Sequence, residues 1–192
     1  MASKPRLSEA DFARAALQLG VDVAAVKAVT EVEAPGGGFL ADGRPTILFE
    51  RHIFDRETGG RYRSQVPDLS HPTPGGYGRV SEQHERLARA AALDRTAALR
   101  SCSWGRFQIM GFNHALAGHP TLQGFVNAMY QSEGAQLDAF VALLKNQPAI
   151  AKALRARDWA GFARLYNGPA YAKNKYDTKL AAAYAKHLRS TG

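Results

Sequence analysis

Most of the chain reads as short apolar stripes at helical spacing, interrupted by one brief run of continuous apolar residues. Ser8, Glu9 and Asp11 open the first stripe, which runs through Phe12, Ala15, Ala16 and Leu19 and stops at Gly20. That is the pattern of a capped amphipathic helix with a glycine end. Asp22 opens a second, with Val23, Val26 and Val29 on one face, completed by Val32 or Glu33 before Pro35 and its glycines. "PTILFE", residues 45–50, is the best strand in the chain, and "RHIFDRE" after it reads as a short helix. Residues 58–80 are rich in Gly and Pro but carry aromatics and arginines, which predicts an ordered loop rather than a linker. From Ser81 onward the spacing predicts helices over Ser81–Arg100, Gly105–Ala117, Leu122–Gln131, Gly134–Asn146, Ala149–Arg155, Trp159–Tyr166 and Lys175–Leu188. Ala135, Ala139 and Ala142 share one face of the fourth of these, while Leu137, Phe140, Val141 and Leu144 form its core stripe. The expectation is an α+β fold, predominantly α-helical, with a small sheet or hairpin near residues 45–50.

Composition narrows this picture. At 192 residues, with 45% hydrophobic and 22% charged, the chain fits one domain spanning 1–192 whose core needs no staples. The one cysteine, Cys102, cannot form an internal disulfide, which suits a reducing cytosol. "MASKPRLSEADFARAAL" has no signal-like apolar stretch, and no apolar run reaches bilayer length. A protein made soluble in the cytoplasm, without membrane insertion, is therefore expected. The net charge of +8 favours anionic partners: nucleic acid, lipid or lipopolysaccharide surfaces, or acidic wall polymers. The basic residues are scattered, mildly concentrated between Lys173 and Arg189, with no arginine-rich arm, RNP-like motif or zinc-finger spacing. Nucleic acid is not an expected partner.

Two acids carry the candidate chemistry. Glu33 closes a predicted helix, where the dipole and apolar neighbours such as Val29, Val32 and Phe39 favour a protonated carboxyl. A general acid requires that state. On position alone a surface glutamate at a frayed helix end is the commoner case, and Glu31 is an equal candidate. Glu50 ends the apolar run and precedes Arg51 and His52, so it is either ion-paired or offered to a cleft. Helix–turn–strand geometry can set Glu33 and Glu50 on opposite sides of one groove, the arrangement that glycoside hydrolysis uses. Six histidines occur without metal-ligand spacing, and there is no GxSxG or P-loop. Cys102 with His114 or His52 as base has no supporting signature. No metal or organic cofactor is expected.

"VEAPGGGF", "LFERHIF" and "SWGRFQIMGFNH" together resemble the N-acetylmuramidase family, the catalytic domain of many phage endolysins, over essentially the whole chain. A looser likeness extends to the lysozyme and lytic transglycosylase superfamily, where a catalytic Glu closes a helix and is followed by a small residue and then an aromatic. Glu33, Ala34 and Phe39 match that order, with Ala34 where serine is common. "GRFQIM", Gly105 to Met110, resembles that superfamily's Gly-Leu-Met-Gln element. "LYNGPAY", Leu165 to Tyr171, is similar to its Tyr-Asn-Ala-Gly element, which a tyrosine-bearing terminal helix (Tyr176, Tyr184) follows.

The resemblance implies a lysozyme-like fold and hydrolysis of the β-1,4 bond between N-acetylmuramic acid and N-acetylglucosamine. Glu33 would be the acid and Glu50 the second carboxylate, with Asp42 and Glu31 behind it. Gln108, Tyr166, Asn167, Trp104, Phe107 and His52 would contact substrate, and Gly105 would let the backbone approach the sugar. It further implies a monomeric endolysin acting on peptidoglycan glycan strands, without a separate wall-binding domain. Made in the host bacterial cytoplasm, it would reach the periplasm and wall after membrane permeabilisation, its charge aiding contact with the anionic envelope. A lytic transglycosylase and a non-catalytic peptidoglycan-binding domain are the alternatives.

Overall fold

The structure, a computed structural model, describes residues 4–190, so the first three positions of the N-terminal stretch read above lie outside the described residues. Helix α1 (Glu9–Leu19) begins with a reciprocal capping box between Ser8 and Asp11 and ends at Gly20, whose φ of 69° is left-handed. Helix α2 (Val23–Glu33) is capped by the Asp22 carboxylate, which accepts from the Ala25 N–H at 2.7 Å. Ala24, Ala25, Val26, Ala28, Val29 and Thr30 are all buried, so α2 is apolar almost all round and lies inside the helical layer. Its small residues let two helices lie along it: α1, and the terminal α10 (Tyr176–Arg189). The Tyr184 hydroxyl of α10 donates to Asp22 at 2.8 Å and fixes the start of α2.

After Glu33 the chain forms a small bridge between Phe39 and Pro45, enters β1 (Ile47–Phe49) and continues into α3 (Arg51–Glu57). The loop after α3 is ordered, as its composition predicts. Asp55 accepts two bonds from the Arg63 guanidinium (3.0 and 2.7 Å) and one from Ser70, while Leu69 is fully buried.

Strand β1 pairs antiparallel with β2 (Cys102–Trp104), and β2 with β3 (Ile109–Met110), in the order β1-β2-β3. The register sets Ile47 opposite Trp104, Phe49 opposite Cys102, and Trp104 opposite Ile109. All five are buried, so one face of the sheet is core. Side chains alternate along a strand. Leu48, Ser103 and Met110 therefore share the other face, and Glu50, extended at φ −100° and ψ 98°, joins them.

Two expectations fail here. The segment read as a helix over Gly105–Ala117 is the β2–β3 hairpin followed by a 3-10 turn at Gly111–Asn113. Gly105 and Gln108 are both left-handed, at φ 69° and 48°, which an α-helix excludes. The span Ser81–Arg100 divides into α4 (Gln83–Leu93) and α5 (Arg95–Arg100). Asp94 is extended between them and accepts from the Ala97 N–H at 2.9 Å as the cap of α5. The remaining helices, α6 (Leu122–Gln131), α7 (Glu133–Lys145), α8 (Pro148–Ala156) and α9 (Trp159–Asn167), lie where the apolar spacing put them. Among the described residues no helix is long and apolar enough to cross a membrane.

Candidate active site

Glu33 is the last residue of α2, half-buried, and its carboxylate accepts a 2.9 Å hydrogen bond from the side-chain amide of Asn167 at the end of α9. Burial pushes its pKa above the ordinary 4.5; the Asn167 bond and the charge of Lys179 on α10 pull the other way without cancelling it. Beside Asn167, Tyr166 stacks on Phe162 (5.7 Å) and meets Phe140 edge-on (5.8 Å). Burial pushes the Tyr166 phenol strongly up, and the Glu33 charge adds to that shift. This phenol stays protonated and can only donate or accept a hydrogen bond at neutral pH.

Glu50 sits in a different setting. It ends β1, its N–H continues the sheet ladder to Ser101 O at 2.9 Å, and it stands at the start of α3. Its carboxylate lies 3.2 Å from His52 Nδ1, poorly aligned for a hydrogen bond. Both the Glu50 Oε2 and the His52 Nδ1 are buried atoms without a hydrogen bond among the described residues. Tyr77, on the loop folded over this end of the sheet, is raised in pKa first by burial and then by the Glu50 charge. Gln108 belongs to the same wall. Its Oε1 accepts from Ser103 Oγ at 2.7 Å and its Nε2 donates to Gly105 O at 2.8 Å.

The other acids named from sequence are ion-paired at the surface. Lys186 (3.0 Å) and His187 (2.8 Å) engage Glu31, and the Lys186 bond leads in holding its pKa below the usual range. Asp42 pairs with Arg44 in an exposed turn, and that contact likewise lowers it. Neither is kept protonated as a general acid must be.

Comparison with known proteins accords with this layout. The family model for N-acetylmuramidase matches residues 22–188, which takes in α2 with Glu33, the sheet with Glu50, and α9 with Asn167. The chain belongs to the N-acetylmuramidase family. A solved structure, that of the Burkholderia AP3 phage endolysin, superposes with a TM-score of 0.92 at 44% identity, over 100% of this chain and 74% of that one. No curated protein matches significantly. The fold is lysozyme-like and the protein is a peptidoglycan hydrolase.

Two residues expected to touch substrate, Trp104 and Phe107, prove to be core. Trp104 is 1% exposed, because the pleat turns it to the inner face, where its indole N–H donates to Leu99 O at 3.1 Å. Phe107 is 6% exposed and stacked on Phe140 at 4.5 Å. Neither ring offers a free face to a sugar. Gly105 is required by the hairpin: a Cβ there would come within 2.6 Å of the Gln136 side chain.

The sequence reading missed the strut that joins the two walls. Glu133, buried at the start of α7, accepts from the N–H of Gly38 (2.8 Å) and of Leu7 (3.1 Å), and pairs with Arg106 at 3.3 Å. Its helical neighbour Gln136 accepts from the Arg106 N–H at 2.7 Å and donates to Gly38 O at 3.3 Å. Gly38 must be glycine, since a Cβ would sit 2.2 Å from Gln136 Oε1. One helix turn thus locks the loop leaving Glu33 to the β2–β3 hairpin beside Glu50. A glutamate in a first helical turn signals only dipole complementation in sequence, so nothing local marks Glu133.

Proposed function

We propose that this muramidase hydrolyses the β-1,4 bond between N-acetylmuramic acid and N-acetylglucosamine with Glu33 as general acid and Glu50 as second carboxylate. The observation that carries this is a half-buried helix-end carboxyl whose pKa is raised and whose orientation is fixed by Asn167. Glu33 gives its proton to the glycosidic oxygen as the bond to the anomeric carbon breaks, and water supplies the hydroxyl that replaces it. Glu50, whose Oε2 has no hydrogen bond among the described residues, takes the proton of the attacking water or stabilises the positive charge at the anomeric carbon. Asn167, Tyr166, Gln108 and His52 line the path of the glycan by this reading. The chain acts as a monomeric catalytic unit, on peptidoglycan rather than nucleic acid. It is held in the host cytoplasm until a membrane lesion opens the way to the wall, and its charge of +8 favours contact with the anionic envelope.

The test is mass spectrometry of fragments released from purified peptidoglycan after borohydride reduction. Hydrolysis leaves reducible N-acetylmuramic acid ends. Anhydro ends would assign the single-acid transglycosylase reaction instead, and no fragments from a folded sample would leave only glycan binding.

A further inference from the structure

Next to Glu33, α2 and α10 leave an open groove of about 400 Å³, lined by Val32, Pro35, Ala182, Ala183, Lys179 and Lys186, with Glu31 at its rim. That volume lies within the roughly 300–1,000 Å³ usual for ligand clefts. The groove lies near the candidate active site: Lys179 lines it, and the charge of Lys179 acts on the Glu33 carboxyl. Its walls are small and apolar at Val32, Pro35, Ala182 and Ala183. Lys179 and Lys186 are seven positions apart on one face of α10, about 10 Å along its axis. An extended peptide covers that distance in about three residues.

The groove itself carries two cations, Lys179 and Lys186, and one acid, Glu31, and the chain that forms its α10 wall is basic. Between residues 168 and 190 stand Lys173, Lys175, Lys179, Lys186 and Arg189, against the single acid Asp177. Lys186 is paired with Glu31, whereas Lys173, Lys175 and Lys179 make no ion pair among the described residues. Lys179 instead lies 5.4 Å from the Tyr176 ring centroid. An open apolar trough with two cations spaced along one wall favours an extended, small-residue, anionic chain.

Peptidoglycan carries such a chain at the sugar under attack. The lactyl group of each muramic acid is amide-linked to a short peptide of mostly small residues with free carboxylates. We infer that the α2–α10 groove binds this peptide stem, its small side chains against Val32 and Pro35 and its carboxylates at Lys179 and Lys186. The inference rests on the muramidase reading above and gives it a specificity: the enzyme distinguishes stem-bearing glycan from naked glycan.

The experiment compares kcat/KM on glycan strands that keep their stems with the same strands stripped by an amidase. Two variants are used, Ala182→Leu, which fills the trough, and Lys186→Gln, which removes a cation. Wild type is expected to cleave both substrates and to favour the stem-bearing one. Each variant is expected to lose roughly fivefold on stem-bearing strands, the upper end for an exposed charge pair, and nothing on stripped strands. Equal cleavage of the two substrates by wild type, or equal losses on both by the variants, would overturn the inference while leaving the hydrolase reading intact. Failure of folded wild type to cleave either substrate removes both. Titration of 15N-labelled protein with isolated stem peptide gives a readout free of catalysis. Saturable shifts along residues 179–186 that Ala182→Leu abolishes support the groove; no shifts, or shifts only with anionic lipid vesicles, count against it.

Discussion

The two candidate carboxyls are built by opposite means. Glu33 stands among helix ends, half-buried, gripped by one amide donor, with its pKa raised. Glu50 stands at a strand end on the face of the sheet away from the core, beside an imidazole and a tyrosine, with one buried oxygen that has no hydrogen bond among the described residues. Burial makes the first a reservoir for a proton. The unfilled acceptor of the second is suited to water or to a developing positive charge. The lesson is that chemical role follows from the element that ends at the residue: a helix end supplies desolvation and an unfavourable dipole, and a strand end supplies an acceptor without a hydrogen bond among the described residues.

The largest expected effect tests the first half of that contrast. Glu33→Gln should cut peptidoglycan cleavage by roughly a thousandfold, within the range for a lost general acid, while its circular dichroism stays that of wild type. Glu50→Gln should cost less, roughly a hundredfold, and should keep the wild-type alkaline limb because Glu33 still sets it. An Glu50 variant of full activity would reduce the site to one acid. Glu133→Ala should act on both halves at once. It leaves Arg106, the buried Gly38 N–H and the part-buried Leu7 N–H without their carboxylate partner, and a cost of about 3 kcal/mol in denaturant melts is expected.

Smaller effects refine the contrast. Lys179 lowers the Glu33 pKa, so Lys179→Gln should move the alkaline limb of the rate profile upward. Lys179 is exposed, so the shift should be small and should fade at high salt. Smallest of all is a stability difference. Because the folded-state pKa of Glu33 is raised, its contribution to stability is fully present below the ordinary value of 4.5 and is lost as pH rises through the folded pKa. Glu33→Gln should therefore melt above wild type at pH 7, and that advantage should disappear below pH 4.5.

Local chemistry made much of the helical layer legible. Ser8 with Asp11, Asp22, and Gly20 are signals read within one turn, and the structure uses each of them. The hairpin was illegible because its turn spends a glutamine, Gln108, in a left-handed conformation where asparagine or glycine is the usual mark. The break at Asp94 was hidden for a similar reason, since a capping aspartate inside an alanine-rich stretch reads as one more exposed helical residue. In the site, the position of Glu33 at a helix end could be read from Pro35 and its glycines. The inward turn of Trp104 could not, because it depends on a register against Ile47 some 57 positions earlier in the chain. Glu133 depends on contacts still more distant, reaching Leu7 across 126 positions.

The central claim is that Glu33, its pKa raised by burial, is the proton donor. Carbon-detected NMR titration of 13C-labelled glutamate carboxyls, in wild type and in Glu33→Gln, tests it most directly. The resonance that the substitution removes should titrate above 4.5 in wild type, in step with the alkaline loss of activity. A resonance titrating at or below 4.5, with activity unchanged across that transition, would contradict the account.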